Sequence, residues 1–274
     1  MSSELKITVL TEDSAKMNSH TLAEHGLSLY LECDNLKLLF DLGDTDVYLK
    51  NAAKMGIDLQ SIDFIAFSHN HYDHVGGLKY FPTPSKKIKL IAQKCAFYPR
   101  INYQNDLSRK EITENFEIVS IDAGIFELSE NLIFLGQIPR LNDFEGKKNF
   151  GKMVLPSGEL ADDFCEEDTA LIYKAKDGIV VITGCSHSGI CNIIQYAVEI
   201  AKKKWGISQV KTILGGLHLV HANEELLTNT INFLKNKEII EVYPCHCTDL
   251  YAKIAMACCD LKVHEVSTGT VINF

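Results

Sequence analysis

The stretch FIAFSHNHYDHVGGL (64–78) sets three histidines and an aspartate within six residues, directly behind an apolar run. FIAFS (64–68) reads as a short buried strand, so the polar cluster begins where that strand must end. Left unpartnered in a core, such side chains would together cost several kcal/mol, of order 2 or more for each. Bound metal cations offset that cost. In extended chain His69 and His71 share a face and suit one ion. Asp73 and His74, after the chain turns, suit a second. Gly76 and Gly77 let the backbone bend close to the site. Imidazole and carboxylate suit zinc, iron or manganese, and ligand type alone does not choose among them. Four ligands are too few for two ions. His187 in TGCSHSG and His246 in YPCHCT each stand just past an apolar strand, from where they can reach the same place.

The chain around the cluster alternates strands with helices. KITVL (6–10), LSLYLEC (27–33) and LKLLFDL (36–42) are strands, the last two joined by an Asp34–Asn35 turn. Residues 46–55 are helical, with Gly56 as terminator. IKLIA (88–92), FEIVSI (116–121) and NLIFLG (131–136) are further strands, and 142–168 reads as loop or insertion. GIVVITG (178–184), VKTILGG (210–216) and EIIEVYP (238–244) are buried strands followed by helices, the second helix capped by Asn223 and the third by Thr248. The corners after these strands carry CSHSG, LHLVH and CHCT. Ligands commonly sit at such carboxyl ends in α/β sheets.

The 274 residues include 27 basic and 36 acidic side chains, a net charge of −9. That balance opposes a general nucleic-acid binder, which would show a basic face. The N-terminus lacks the charged and apolar regions of a secretory signal, and no run reaches membrane-spanning length. Nine cysteines without framework spacing read as reduced thiols, giving a cytoplasmic expectation.

HNHYDHVGGL resembles the signature of the metallo-β-lactamase superfamily. EHGLSLYLE, LLFDLG, GQIPRLNDFE, VVITGCSHSGICNII, ILGGLHL, PCHCT and STGTVINF resemble, in order, the blocks of the branch named for 7,8-dihydropterin-6-methyl-4-(β-D-ribofuranosyl)aminobenzene-5'-phosphate synthase. The resemblance runs from about residue 24 to the end. It implies an α/β fold, the αββα sandwich with a dinuclear metal site at the sheet edge, and one domain over 1–274 with a variable region within about 95–165. It implies His69, His71 and His187 on one metal and Asp73, His74 and His246 on the other. Asp41 would order those histidines from behind. The expected cofactors are two divalent ions, zinc foremost, with iron or manganese as alternatives.

Where most hydrolases of the superfamily carry a bridging aspartate, this chain has Cys185. It can bridge or ligate as thiolate, leave the site one ligand short, or be a small buried residue. Asp73 would both ligate and orient the nucleophile. His218 would donate to a leaving group or phosphate oxygen, or merely cap a turn. Arg140 matches phosphate geometry, or pairs on the surface with Asp143 or Glu145. His25 faces substrate or is a hydrogen-bonded loop histidine. His20, His221 and His264 read as surface or satisfied histidines, Cys245 and Cys247 as buried thiols flanking His246, and Cys258 and Cys259 as core.

Two metal ions lower the pKa of a water held between them. The leading expectation is therefore a hydrolase of a small, phosphorylated molecule, or the synthase reaction of the branch name, with no nucleic-acid or membrane partner. Two other classes remain. A redox protein of this fold would show an iron spectrum with electron transfer. A binding protein without turnover would be stabilised by a ligand that it does not consume.

Overall fold

The computed structural model describes residues 4–101 and 106–274. Residues 102–105, part of the expected variable region, lie outside the described residues. Strands β1 (Lys6–Thr11), β2 (Ser28–Cys33), β3 (Leu36–Phe40), β4 (Phe64–Ala66), β5 (Lys89–Gln93) and β6 (Glu117–Ile121) lie side by side in chain order. Helix α1 (Val47–Lys54) connects β3 to β4, α2 (Tyr72–Val75) follows β4, and α3 (Lys110–Thr113) precedes β6. Then come β7 (Phe126–Glu127), β8 (Leu132–Phe134), β9 (Gly151–Val154), β10 (Leu160–Asp163), β11 (Ala170–Ala175) and β12 (Gly178–Thr183). The remainder is α4 (Ile190–Trp205), β13 (Val210–Gly216), α5 (Glu224–Asn236), β14 (Glu241–Cys245), α6 (Leu250–Cys258), β15 (Lys262–Val263) and β16 (Val271–Asn273).

Two seven-stranded sheets result. One runs β16-β1-β2-β3-β4-β5-β6 and the other β15-β14-β13-β12-β11-β8-β7. Period-two side-chain alternation explains why they stack. In β3, Leu38 and Phe40 enter the core between the sheets while Leu39 joins the core on the outer face. In β12, Val180 and Ile182 face inward, and Ile179 and Val181 face outward toward α4 and α5. A strand buried on both faces reads as the continuous apolar run GIVVIT. Helices on both outer faces complete the mixed αββα sandwich.

Local chemistry accounts for the main corners. Asp34 and Asn35 take φ of 51° and 61°, the left-handed pair required by a tight hairpin turn between β2 and β3. The Asn223 side chain accepts the Leu226 N–H and caps α5. The cap of α6 is Asp249, which accepts from Ala252, rather than the expected Thr248. Thr248 instead accepts the Leu217 N–H at 2.9 Å and ties the corners after β13 and β14 together. Residues 142–168, expected as loop, contain the β9–β10 hairpin, a separate two-stranded sheet. Cys258, expected in the core, is exposed at the end of α6.

Strands β3, β4 and β5 are mutually parallel, as are β12, β13 and β14. Their carboxyl ends meet at one edge of the sandwich, where the polar residues gather. Among the described residues no helix is long and apolar enough to cross a membrane.

Candidate metal centre

The corner after β4 supplies His69 and His71, and the turn α2 supplies Asp73 and His74. The corners after β12 and β14 supply Cys185, His187 and His246 from the opposite sheet. Ligand atoms of His69, His71 and His187 all lie within 4.8 Å of one another, as do those of His69, His74 and Cys185. His69 Nε2 stands 3.1 Å from His187 Nε2, and His74 Nε2 stands 3.1 Å from His246 Nε2. Asp73 Oδ2 is 3.3 Å from His246 Nε2. The expected residues thus meet in two adjoining groups, with Cys185 Sγ 3.1 Å from His74 Nε2 between them.

Positions behind the histidines are tightly specified. Asp41 Oδ2 accepts from His74 Nδ1 at 2.7 Å and from Ser68 Oγ at 2.6 Å, while Oδ1 accepts the Ser68 N–H at 2.8 Å. Ser68 Oγ in turn lies 2.9 Å from His69 Nδ1. One carboxylate therefore orients a histidine in each group, the outer hydrogen bonding that fixes imidazoles for ligation. Asp41, Ser186, His218 and His246 have φ between 50° and 64°. Such left-handed corners are sparsely populated by non-glycine residues and concentrate at functional sites. Gly77 is required for a different reason: a Cβ there would stand 2.2 Å from the Leu42 carbonyl oxygen.

The electrostatics fit a cation. Burial, then the neighbouring imidazoles, holds His69 and His187 well below the ordinary histidine value, and burial brings His71 down to about 4. All three present neutral imidazoles, the form that ligates metal. Burial alone would raise Asp73, but His74 and His246 outweigh it and hold the carboxyl well below its usual range. Burial would lower His246, yet Asp13 and Asp73 push it well above normal. Two facing imidazole nitrogens and a carboxylate oxygen call for shared positive charge, from a proton or a metal ion. The Nδ1 atoms of His187 and His218 are buried without a hydrogen-bond partner among the described residues, and that of His246 faces Asp13 Oδ1 at 3.5 Å.

A cavity of about 330 Å³ opens on the site, walled by His71, Asp73, His187, His218, His246 and Phe150 among others. His25 also lines it, with Nε2 3.3 Å from Asp73 Oδ2 and Nδ1 3.1 Å from Asp13 Oδ1. His218 packs its ring on His187, with centroids 4.4 Å apart. Arg140 is not brought to this cavity, nor to Asp143 or Glu145. Its Nη2 donates to the carbonyl oxygens of Phe164 (2.5 Å) and Cys165 (3.3 Å), bracing the loop before β11. Nη2 is thus committed to backbone carbonyls where the chain leaves β10, while Nε is buried without a hydrogen-bond partner among the described residues. His264 is satisfied as expected, bonded to Glu241 at 2.6 Å and stacked on Tyr243.

Several site residues lay outside the sequence reading. Cys247, expected as a buried flanking thiol, lines the cavity, and its Sγ accepts the His218 N–H at 3.2 Å. Strand alternation could not have placed it, because β14 ends at Cys245 and the chain turns at His246 with φ of 50°. Glu12 accepts the His246 N–H at 2.9 Å, and Asp13 contacts His25. Asp168, raised to about 6 by burial, accepts the Ser188 N–H at 2.8 Å beside His187. Nothing in local sequence marks these three, because their partners come from distant strands.

Comparison with known proteins agrees with this architecture. A family model described as anti-Pycsar protein Apyc1 matches residues 15–120. The 7,8-dihydropterin-6-methyl-4-(β-D-ribofuranosyl)-aminobenzene-5'-phosphate synthase of Methanocaldococcus jannaschii is 30% identical over 270 residues, covering 91% of this chain and 89% of that protein. A solved structure described as a metal-dependent hydrolase of the β-lactamase superfamily is 30% identical, with a TM-score of 0.81 and coverage of 98% of both chains. A diphosphatase of the PhnP family, 14% identical with a TM-score of 0.57 over 98% of both chains, shares the fold. The chain belongs to the metallo-β-lactamase superfamily, in the branch that includes the dihydropterin-methyl-ribofuranosylaminobenzene phosphate synthase.

Proposed function

We propose that this chain is a metal-dependent hydrolase of a small, phosphorylated substrate, acting in the cleft between the two sheets' carboxyl ends. The observation that carries the reading is the meeting of His69, His71 and His187 with Asp73, His74 and His246 at the floor of an open cavity. In this reading the first three residues hold one divalent ion and the second three another, with Cys185 within reach of both. Imidazole with thiolate suits zinc best, and iron next, over manganese. Such an ion pair would supply Lewis-acid charge and a nucleophile available at neutral pH.

The chain's own groups divide the remaining work. Asp73, kept ionised by its histidine neighbours, serves as a ligand and orients the nucleophile as a hydrogen-bond acceptor. His218, on the cavity wall, donates to the leaving group or to a phosphate oxygen. His25 presents an exposed imidazole beside Asp73 at the mouth, where it contacts substrate. Phe150 covers His71 and His187 and limits water access. The net charge of −9 supports a small molecule rather than nucleic acid as substrate, and the free cysteines support a cytoplasmic setting.

A second reading is the synthase reaction of the M. jannaschii relative, favoured by 30% identity over nearly the whole chain. In both readings the substrate carries a phosphate group.

Elemental analysis of protein purified without chelator, beside His69→Ala, tests the common foundation. The expected result is about two zinc or iron ions per chain, falling sharply in the variant. Hydrolysis of bis(p-nitrophenyl) phosphate or p-nitrophenyl phosphate, lost in the variant, would then favour the hydrolase. Absence of metal from both proteins would overturn it.

A further inference from the structure

Beside the metal-ligand cavity lies a second one of about 360 Å³, and the two share His187, His218 and Val220 in their walls. Its outer wall is residues 144–148, the segment that carries Lys147 and Lys148. We propose that these lysines, with His218 and His221, form an anion subsite that seats the substrate's phosphate group next to the metal-ligand histidines. The proposal rests on the phosphorylated-substrate reading above and says where that phosphate is held.

The segment that presents the lysines is fixed at both ends. Asn142 Oδ1 accepts the N–H groups of Phe144 and Glu145, both at 3.2 Å, and sets the turn. Glu145 then places both carboxylate oxygens on the start of α4, accepting from Cys191 N–H at 3.2 Å and Asn192 N–H at 2.7 Å. Gly146 turns there with φ of 70°, where a Cβ would stand 2.6 Å from the Ser188 carbonyl oxygen. At the far end, Phe150 packs on His71 and His187 with centroid distances of 4.9 and 4.7 Å. Lys148 Nζ stands 5.0 Å from the Phe150 centroid, which keeps its charge at the rim of the metal-ligand cavity.

The wall carries two lysines against one carboxylate. Among the described residues the only carboxylate in this second cavity's wall is Glu145, and both its oxygens accept from the start of α4. Lys152, a few residues on, pairs with Asp162 at 2.7 Å, but neither Lys147 nor Lys148 has a carboxylate partner among the described residues. What sets these two ammonium groups apart is their place on the wall of a cavity that adjoins the metal-ligand histidines. His218 Nδ1 adds a ring nitrogen without a hydrogen-bond partner among the described residues. Ammonium groups bind phosphate as point charges, and a multiply charged phosphate or diphosphate gains most from two of them.

The test is isothermal titration of the metal-loaded protein with inorganic pyrophosphate, for wild type, Lys147→Gln/Lys148→Gln and Lys147→Arg/Lys148→Arg. Both lysines are exposed, so folding is expected to persist, and metal content and melting temperature serve as controls. The glutamine pair should weaken binding by about tenfold or more, and the arginine pair should restore it. Added salt should weaken wild-type binding far more than that of the glutamine pair. Equal affinity in all three proteins, or no binding by wild type, would overturn the subsite. Its failure is separable from failure of the hydrolase reading. Lysine-dependent binding without hydrolysis of any phosphoester leaves the subsite standing and removes the hydrolase. Hydrolysis with KM unchanged in the glutamine pair does the reverse.

Discussion

Cys185 Sγ lies 3.1 Å from His74 Nε2, where the resemblance to the superfamily's hydrolases leads one to expect a bridging aspartate. Its ligand atom also groups within 4.8 Å with those of His187 and His218, and with those of His246 and Cys247. A thiol at the centre of so many donors makes the ligand reading of Cys185 more specific than that of a small buried residue. Cys185→Ala should lower metal content per chain and Cys185→Asp should retain it. The aspartate variant should shift preference from zinc toward harder ions such as manganese. Cobalt substitution gives an independent readout: a thiolate charge-transfer band present in wild type and absent from both variants. An unchanged band in Cys185→Ala would exclude Cys185 as a ligand.

Asp41 reaches both ligand groups, His74 directly and His69 through Ser68. Asp41→Ala would leave the Ser68 N–H and the His74 Nδ1 without a buried acceptor, costing about 1–3 kcal/mol for each. Metal affinity should fall by about 10–100-fold, measured by competition with a chromophoric chelator. Unchanged affinity would mean that packing alone holds the histidines.

Why the sequence disclosed so much of this site follows from where its residues stand. His69, His71, Asp73 and His74 are neighbours in the chain, so their convergence is local and spacing reveals it. His187 follows GIVVIT, legible because burial on both faces demands a continuous apolar run, and His246 follows EVYPC, whose Val242, Pro244 and Cys245 are buried while Glu241 and Tyr243 are half-exposed. The bonds of Arg140 Nη2 could not be read from the sequence, because main-chain carbonyls leave no mark in composition. The same holds for Thr248 and Asp249: both are good caps, and only the Leu217 N–H from the neighbouring corner decides which one caps α6. The β9–β10 hairpin escaped because its strands are mostly half-exposed and lack apolar alternation.

Glu167 provides a pH-dependent term away from the metal ligands. It is buried with Arg100 and Asp163: Arg100 Nη2 donates to its Oε2 at 3.0 Å and Arg100 Nε to Asp163 Oδ2 at 2.7 Å. Burial raises Glu167 from 4.5 to about 7, with Arg100 only partly opposing. The folded chain therefore holds this proton more tightly than the unfolded chain. The corresponding stabilisation is whole below about pH 4.5 and is lost as pH rises through 7. Glu167→Gln should thus gain melting temperature relative to wild type as pH goes from 5 to 8. The difference between the two proteins isolates this group from the buried histidines, whose lowered values act in the opposite sense. A constant difference across that range would show that Arg100 keeps Glu167 ionised throughout.

Gly184, at the end of β12, sits against the network that Asp41 organises. A Cβ there would stand 2.0 Å from Ser68 Oγ, 2.5 Å from Ser68 Cβ and 2.8 Å from Asp41 Oδ2. None of these atoms is free to withdraw, because Ser68 and Asp41 are buried and bonded to each other. Gly184→Ala should therefore destabilise the chain by about 1–3 kcal/mol, typical of overpacking, and lower metal content with it. Ser68→Gly/Gly184→Ala removes the two closest contacts. In urea titration its loss should be smaller than the sum of the single losses, because the two residues compete for one volume. Additive losses would locate the damage in the backbone of the corner after β12, not in the contact with Ser68.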